Sequence, residues 1–268
     1  MTEISAQLVK ELRDQTGAGM MDCKRALEET GGDIEAARTL LREKGMARAG
    51  KRAGRETTEG KVGVRIEDGV GTLVAVGCET EPVSNNEEFL AYAKRVLEAV
   101  ERGGPEAAAE LEDERVALIS KIGENIVVRG AARMEADDGE RLAQYVHPPA
   151  NKIGVLAKVR GGSEEAARFL AMHISFGSPS WARREDVPGD VVAAEREILL
   201  NSDEVRSKPE AAREQIVEGM LNKRFFAAQP GGVLLDQPYI HDTGKTVAQA
   251  LEAEGMELVE FQRFSVAE

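Results

Sequence analysis

A chain of 268 residues, 42 % hydrophobic and 31 % charged, has the composition of a globular protein with room for two or three modest domains. Its 48 acidic residues against 35 basic ones give a formal net charge of −13, which argues against direct binding to a nucleic-acid backbone. No run approaches the roughly 20 apolar residues of a membrane helix, and the first ten residues lack the apolar stretch of a secretory signal. We therefore expect a cytoplasmic protein with no membrane partner.

Two cysteines and three histidines leave little scope for metal or redox chemistry. Cys23 and Cys78 lie far apart and neither belongs to a CxxC pair, so the sequence predicts packed thiols rather than a disulfide scaffold or a zinc site. His147, His173 and His241 are equally scattered. We therefore expect neither a metal site nor a cofactor.

Residues 1–54 are predicted to form a small helical domain and a linker. Apolar residues at helical spacing, separated by glycines, indicate three short helices, and Asp33 is a suitable N-cap for the third. Gly45 is expected to end that helix, which gives a three-helix bundle like a ubiquitin-associated domain. We interpret residues 45–60 as a linker. A basic run interpreted as its solvated surface comprises Lys44, Arg48, Lys51, Arg52 and Arg55.

Residues 55–145 are predicted to be the first half of an α+β core. Alternating apolar residues over 62–66 and an apolar run over 71–78 flank an Asp68-Gly69 turn, which indicates a β-hairpin. The elements predicted next are a helix at 86–102, a helix through 116–122, and strands at 126–134 and 140–147.

Residues 146–268 repeat the strand-then-helix order. A strand at 153–159 leads into a helix over 163–176 that is apolar almost all round and is expected to be buried. Two amphipathic helices within about 187–227, joined by a polar turn, predict a projecting helical hairpin. The elements predicted last are a capping box at Thr246 and Gln249 that opens a helix, and a strand near 258–266. The fold class is therefore α+β, with antiparallel sheets in two related subdomains.

Motifs for enzyme chemistry are missing from this pattern. Gly17-Ala18-Gly19 lies between two helices without a following Lys-Ser or Lys-Thr, and Gly161-Gly162 lacks the spacing of a phosphate-binding fingerprint. No serine, cysteine or lysine stands in a nucleophile motif. The sequence indicates a binding protein rather than an enzyme.

Several stretches closely resemble the elongation factor Ts family. The N-terminal signature is Leu8–Arg13 with Thr16–Leu27, and the helical hairpin carries the motifs Glu195–Glu197 and Ile216–Gly219. Further segments that fit the family are Glu114–Leu118, Ile122–Asn125, Ala171–His173, Lys208-Pro209, Gln237-Pro238 and Phe261–Phe264. Because the resemblance spans essentially the whole chain and agrees with the predicted order of domains, the chain is identified as a member of this family.

The resemblance implies a guanine-nucleotide exchange factor that acts in translation elongation. Such a factor binds the GTPase elongation factor Tu, in its GDP-bound and nucleotide-free states, and loosens the magnesium and phosphate contacts that retain GDP. The alternative is a non-catalytic interaction adaptor built on the ubiquitin-associated-like bundle, which would bind a partner without changing nucleotide release.

Four residues are implied to contact Tu. Arg13, Met20 and Met21 match family positions that dock on the nucleotide domain of Tu, and His147 lies in a loop that approaches it. From the sequence alone, methionines in a small bundle are more often core filler. Adjacent residues do not share one helix face, however, so at least one of the two methionines is expected to point outward.

Thr80, Glu81, Pro82 and Val83 stand where the family has a Thr-Asp-Phe-Val loop directed at the magnesium site of Tu. Glu81 keeps a carboxylate on a longer side chain, whereas Pro82 replaces the phenylalanine that the family inserts into Tu. The sequence alone leaves open that this segment is only the loop entering the next helix. The departure bears on the aromatic-insertion step and leaves the implied exchange activity unchanged.

The helical hairpin is implied to contact Tu or a second copy of the chain. A homodimer through the hairpin is therefore one hypothesis. A solvated protrusion without a partner is the alternative.

Overall fold

Helices and strands make up most of this computed structural model, which describes residues 4–267. The α-helices are α1 (Ala6–Thr16), α2 (Met20–Glu29), α3 (Ile34–Arg52), α4 (Glu81–Ser84), α5 (Glu87–Gly103), α6 (Glu112–Ile122), α7 (Glu164–Gly177), α8 (Gly189–Asn201), α9 (Asp203–Arg206), α10 (Glu210–Met220) and α11 (Val247–Ala253). The strands are β1 (Glu59–Glu67), β2 (Val70–Cys78), β3 (Ile126–Glu135), β4 (Glu140–Val146), β5 (Ile153–Gly161), β6 (Pro238–Tyr239), β7 (Asp242–Thr246) and β8 (Met256–Ser265). A 3-10 segment, Pro105–Leu111, joins α5 to α6, and a π-helical turn, Leu221–Phe226, follows α10.

The first three helices form the predicted bundle. Ser5 caps α1 by accepting a hydrogen bond from the backbone N–H of Leu8, and Asp33 caps α3 in the same way at 3.0 Å from Ala36 N. Gly17 ends α1 in the left-handed conformation, with φ +66°. The buried residues that join the three helices are Val9, Leu12, Cys23, Ala26, Leu27 and Ala37.

Two three-stranded antiparallel sheets follow, with strand orders β1-β2-β3 and β4-β5-β8. In each sheet the central strand precedes a helix that covers one face, α5 for β2 and α7 for β5. The predicted Asp68-Gly69 turn is confirmed, with φ +49° and +77°. Strand β4 pairs with β5 along its whole length, so the second sheet begins ahead of the boundary that the sequence placed at 145/146.

The sheets pack against each other on the faces that their helices do not cover. Leu73 of β2 and Leu156 of β5 belong to one buried cluster between the sheets, whereas Val74, the next residue of β2, faces the core under α5. Gly154 permits this approach, because a Cβ atom there would lie 2.3 Å from Val62 Cγ1. The core is therefore layered as helices, sheet, sheet, helix.

Helix α3 does not end at Gly45, as the sequence predicted, but continues to Arg52. Gly45 is buried where α3 crosses α6, and a Cβ atom there would lie 3.2 Å from both Ser120 Oγ and Val116 Cγ1. The glycine thus allows two helices to approach rather than terminating one. One turn later Ala49 is buried in the core beneath α5, so the second half of α3 docks the bundle on the first sheet.

Helices α8 and α10 form the predicted hairpin. The segment between them, predicted as a polar turn, contains the single helical turn α9, whose Val205 is fully buried in the hairpin's own core. The predicted capping box of Thr246 and Gln249 begins α11. Helix α7 is buried over most of its length as predicted, except that Phe176 is 67 % exposed. Within residues 4–267, no helix has the length and apolar character needed to cross a membrane.

Candidate functional site

The corner between α1 and α2 presents apolar side chains to solvent. Met20 is 58 % exposed and Met21 is 62 % exposed, and Arg13 at the end of α1 is also exposed. The inward face of α2 is supplied instead by the small residues Cys23 and Ala26, with Leu27. Both methionines therefore point outward, and the core-filler interpretation is wrong for each of them.

The basic run beside this corner is not a solvated linker. Arg48 donates to the Asp22 carboxylate at 3.0 and 3.2 Å, and this guanidinium is the main reason that the pKa of Asp22 lies below its usual value. Lys44 pairs with Glu29 at 2.6 Å. Most of the run lies on α3, which packs against the other helices of the bundle and against α6. Several of its basic side chains therefore form ion pairs within the fold.

Residues Glu81–Ser84 form the helical turn α4, where the sequence had indicated a loop. The backbone N–H of Ser84 donates to the Thr80 carbonyl at 3.1 Å, and the Ser84 hydroxyl donates to the Glu81 carbonyl at 2.8 Å. Thr80, Glu81 and Pro82 are exposed, whereas Val83 is half-buried against the core under α5. The turn is thus anchored by one apolar side chain and directs a carboxylate and a proline ring into solvent.

Glu124, which the sequence did not single out, closes the junction between β2 and α4. Its Oε2 accepts hydrogen bonds from the backbone N–H groups of Glu79, at 3.1 Å, and Thr80, at 3.0 Å. Its Oε1 accepts from the Thr80 hydroxyl at 2.6 Å. The only signal for this residue in the sequence was the family-like segment Ile122–Asn125, which carried no indication of a contact 44 residues away.

His147 lies in the loop between β4 and β5 and is exposed. Its Nδ1 lies 3.2 Å from the Tyr145 hydroxyl. The same loop reaches β1, because Lys152 Nζ lies 2.5 Å from a Glu59 carboxylate oxygen. Glu59 stands opposite Cys78 in the β1-β2 register, so the loop lies beside the strand end that leads into α4.

A cleft of about 270 Å³ lies between the bundle and the core. Thr16 and Gly17 line it from the bundle, and Glu88 and Lys121 line it from α5 and α6. Glu88 belongs to the first turn of α5, which begins three residues after α4 ends. Arg13, Met20 and Met21 on the bundle and Glu81 and Pro82 on α4 are all exposed, and none of them lines this cleft.

A buried polar cluster under α7 is a second feature that sequence reasoning missed. His173 is fully buried, with Nε2 3.0 Å from Gln237 Oε1, and its Nδ1 accepts from the backbone N–H of Ile240 at 3.3 Å. Burial lowers the pKa of His173 to about 4. The Gln237 amide donates in turn to the carbonyls of Gly177 and Ala228. This cluster joins α7 to the segment around β6 and is structural.

Metal-ligating side chains do not converge in the described range, 4–267, where no group of three or more His, Cys, Asp or Glu residues is arranged to hold a metal ion. The exposed candidate residues provide a pair of thioethers, a guanidinium, a carboxylate and an imidazole. That set is suited to contacts with another macromolecule rather than to enclosing a small substrate.

Comparisons with known proteins agree with this description. A family model described as Elongation factor TS matches residues 79–268. The chain is 42 % identical to elongation factor Ts of Aeromonas hydrophila over 279 aligned positions, which cover 100 % of this chain and 92 % of that protein. It is 41 % identical to elongation factor Ts of Cronobacter sakazakii (100 % and 93 % covered) and 42 % identical to that of Halorhodospira halophila (99 % and 92 % covered). This chain belongs to the elongation factor Ts family.

Proposed function

We propose that this chain is a guanine-nucleotide exchange factor for elongation factor Tu in translation elongation. It binds Tu in the GDP-bound and nucleotide-free states and promotes GDP release by disturbing the magnesium and phosphate site, with no covalent chemistry of its own. The observation that supports the proposal is the exposure of the side chains that the family resemblance assigns to Tu. Family membership supports the choice of partner.

The bundle corner provides the anchor in this proposal. Met20 and Met21 are flexible, polarizable side chains that adapt to an apolar surface, and Arg13 adds a charged contact beside them. Covering two such methionines contributes at most about 1.5–3 kcal/mol each. This anchor holds the α4 turn against the nucleotide site of Tu.

The α4 turn acts on the nucleotide. Glu81 brings a carboxylate, which is the type of oxygen ligand that Mg²⁺ prefers, toward a metal that bridges protein and phosphates. The same charge repels the GDP phosphates. Since Pro82 offers much less apolar surface than phenylalanine, we assign the larger part of the effect to the charge of Glu81 and the smaller part to insertion of a side chain.

Linkage makes the exchange reversible. If the factor weakens GDP binding a thousandfold, GDP weakens binding of the factor a thousandfold, a coupling of about 4 kcal/mol. Binding of GTP therefore displaces the factor from Tu, in the same way that binding of the factor displaced GDP. Rapid turnover needs only competing binding equilibria, and so the chain acts without being an enzyme.

The helical hairpin supplies a second partner surface in this proposal. Ile198 on α8 is 63 % exposed although it lies on a helix with a core of its own. We assign this surface to Tu or to a second copy of the chain, which would form a homodimer. The net charge of −13 disfavours a nucleic-acid partner.

The test is a stopped-flow measurement of fluorescent GDP release from Tu, with excess unlabelled GDP and increasing amounts of the full chain. We expect the release rate to rise with the concentration of the chain and then to saturate. Binding to Tu without any change in release rate would favour the interaction adaptor built on the bundle. No binding to Tu would contradict both functions.

A further inference from the structure

We infer that Glu124 is a positioning residue that holds the α4 turn in the orientation needed for nucleotide release. The inference rests on the proposed exchange function and assigns a new role within it. Glu124 itself is partly buried behind the exposed turn, so it acts through Glu81 and Pro82 rather than by touching Tu.

One carboxylate satisfies three donors at the point where β2 ends. The two backbone N–H groups of Glu79 and Thr80 lie 3.1 and 3.0 Å from Glu124 Oε2, and the Thr80 hydroxyl lies 2.6 Å from Oε1. Hydrogen bonds to a charged acceptor are about twice as strong as neutral ones. The direction in which the chain leaves the sheet is therefore fixed from outside the turn.

The N-terminal end of α4 is not stabilised by a capping hydrogen bond from its own N-cap residue. Thr80 is the N-cap residue of α4, yet its side chain makes no capping bond to the helix, because its hydroxyl is turned to Glu124. Threonine normally caps a helix by accepting from a backbone N–H two or three residues on. Glu124 thus takes the side chain that would otherwise organise the turn locally.

Glu124 is itself well placed to hold the turn relative to the bundle. It follows α6, the helix that α3 crosses, after Gly123 ends α6 at φ +89°. Asn125 returns the contact, since its backbone N–H donates to Glu79 Oε1 at 2.6 Å and its side-chain amide donates to the Arg55 carbonyl at 2.9 Å. The two segments therefore bond in both directions, at the end of α6, against which α3 of the bundle packs.

Docking on Tu and acceleration of GDP release are therefore expected to depend on different parts of the chain, and the two can be measured separately. Without the Glu124 carboxylate, the corner still docks on Tu, but Glu81 samples several positions once bound. A small misplacement of a working group costs roughly ten- to a hundredfold in rate. We therefore expect loss in the maximal rate of GDP release, with little change in the concentration of factor that gives half of that rate.

The test uses the full chain with Glu124→Ala and Glu124→Gln. A glutamine oxygen can accept both backbone N–H groups while its NH₂ donates to the Thr80 hydroxyl, so Glu124→Gln should retain the turn and Glu124→Ala should lose it. The control is Glu257→Gln, which removes an exposed carboxylate paired with Arg160, outside the surfaces assigned to Tu. For each variant we would measure amide hydrogen exchange at Glu79 and Thr80 without Tu, and GDP release across a range of factor concentrations.

The inference is supported if Glu124→Ala exchanges these amides faster and lowers only the maximal release rate, while Glu124→Gln and Glu257→Gln behave like the parent. It is overturned if folded Glu124→Ala reaches the parental maximal rate, or if Glu124→Gln is as impaired as Glu124→Ala. Should Glu124→Ala not fold, Thr80→Val removes one of the three bonds and should lower the maximal rate more weakly; a parental rate would count against the inference. If the parent chain does not accelerate release, the proposed function fails, whereas the amide exchange still reports whether Glu124 orders the turn.

Discussion

Gly45 of α3 lies so close to Ser120 of α6 that a Cβ atom at position 45 would come within 3.2 Å of the Ser120 hydroxyl oxygen. Two cavities, of about 320 and 240 Å³, adjoin this crossing, and Ser120 lines both. The ion pair between Arg42 and Asp113 that also spans the two units is exposed, and such pairs contribute little. The position of the bundle on the core thus depends on a narrow helix crossing and on the buried Ala49 one turn further on.

Gly45→Val should weaken this docking. The added branches have no space between Val116 and Ser120, and overpacking of this kind costs about 1–3 kcal/mol. Urea unfolding and Tu binding of the full chain provide the measurements. Gly50→Ala in the same helix is the control, because nothing lies within 4 Å of its Cβ position, and it should be neutral or stabilise by up to about 1 kcal/mol. Equal stability and binding of Gly45→Val and the parent would show that the crossing is not what holds the bundle.

Met20 and Met21 replaced together by aspartate should weaken Tu binding strongly, by about a hundredfold or more if the two side chains contribute the energy of buried methionines. Because both are exposed, the helicity and unfolding midpoint of the chain should change little. Titration of labelled Tu, with circular dichroism of the free variant, measures both. Met46→Asp, at a methionine of α3 that is 56 % exposed, is the matched control. Parental affinity of the double variant would remove the corner from the contact surface.

The elements predicted best were those whose signals are local. Alternating apolar residues over 62–66 and the apolar run over 71–78 predicted β1 and β2, and the caps at Asp33 and Thr246 lie where their side chains bond the following turn. Gly45 was misread because a glycine late in a helical pattern is equally suited to ending a helix and to letting another helix approach. Only the position of α6, more than 60 residues later in the chain, decides between the two.

The candidate site was predictable only in part for the same reason. The residues that reach solvent lie within family-like motifs, but what orients them is remote in sequence. Glu124 meets Thr80 across 44 residues, and Lys152 meets Glu59 across 93. No periodicity links such pairs, because they meet through the layering of two sheets and the crossing of two helices. The exposure of both methionines has a similar cause: α1 and α3 pack on the face of α2 that carries Cys23, Ala26 and Leu27, and this leaves Met20 and Met21 in solvent.

Stability should fall on acidification in a way that depends on His173. The unfolded chain takes up a proton near pH 6.5, whereas burial keeps the folded histidine neutral until its pKa of about 4. Stability from this group is therefore fully present above pH 6.5 and declines as the pH falls toward 4, by about 3 kcal/mol in total. Protonation of Nδ1 would also place two N–H groups against each other, because Nδ1 accepts a hydrogen bond from the backbone N–H of Ile240 in the neutral ring.

Urea unfolding of the parent and of His173→Gln between pH 8 and pH 4.5 tests this expectation. Carboxylates titrate in both proteins. The difference between parent and variant in the slope of the unfolding free energy against pH therefore reports the contribution of His173. We expect a shallower decline in the variant, whatever its absolute stability. Parallel curves would mean that the imidazole is already protonated in the folded chain or that water relieves its burial.

The α4 turn provides the sharpest test of how this chain differs from its family pattern. Glu81→Ala should slow stimulated GDP release by about tenfold, equivalent to about 1.4 kcal/mol, because it removes the charge that competes for Mg²⁺ and repels phosphate. Pro82→Ala should have a smaller effect, since proline has little surface to bury. Pro82→Phe should be tolerated at this exposed position, and should be faster with a Tu that has the receiving pocket.

GDP release at saturating factor, repeated across a magnesium titration, separates these expectations. The deficit of Glu81→Ala should shrink as free Mg²⁺ is lowered, because the metal then leaves without assistance. Glu87→Ala, an exposed carboxylate at the start of α5, controls for the general loss of negative charge. If Glu81→Ala matched the parent at every magnesium concentration, the turn would be a bystander. The nucleotide would then have to be loosened from the Met20–Met21 corner or from the His147 loop, which are the other surfaces assigned to Tu.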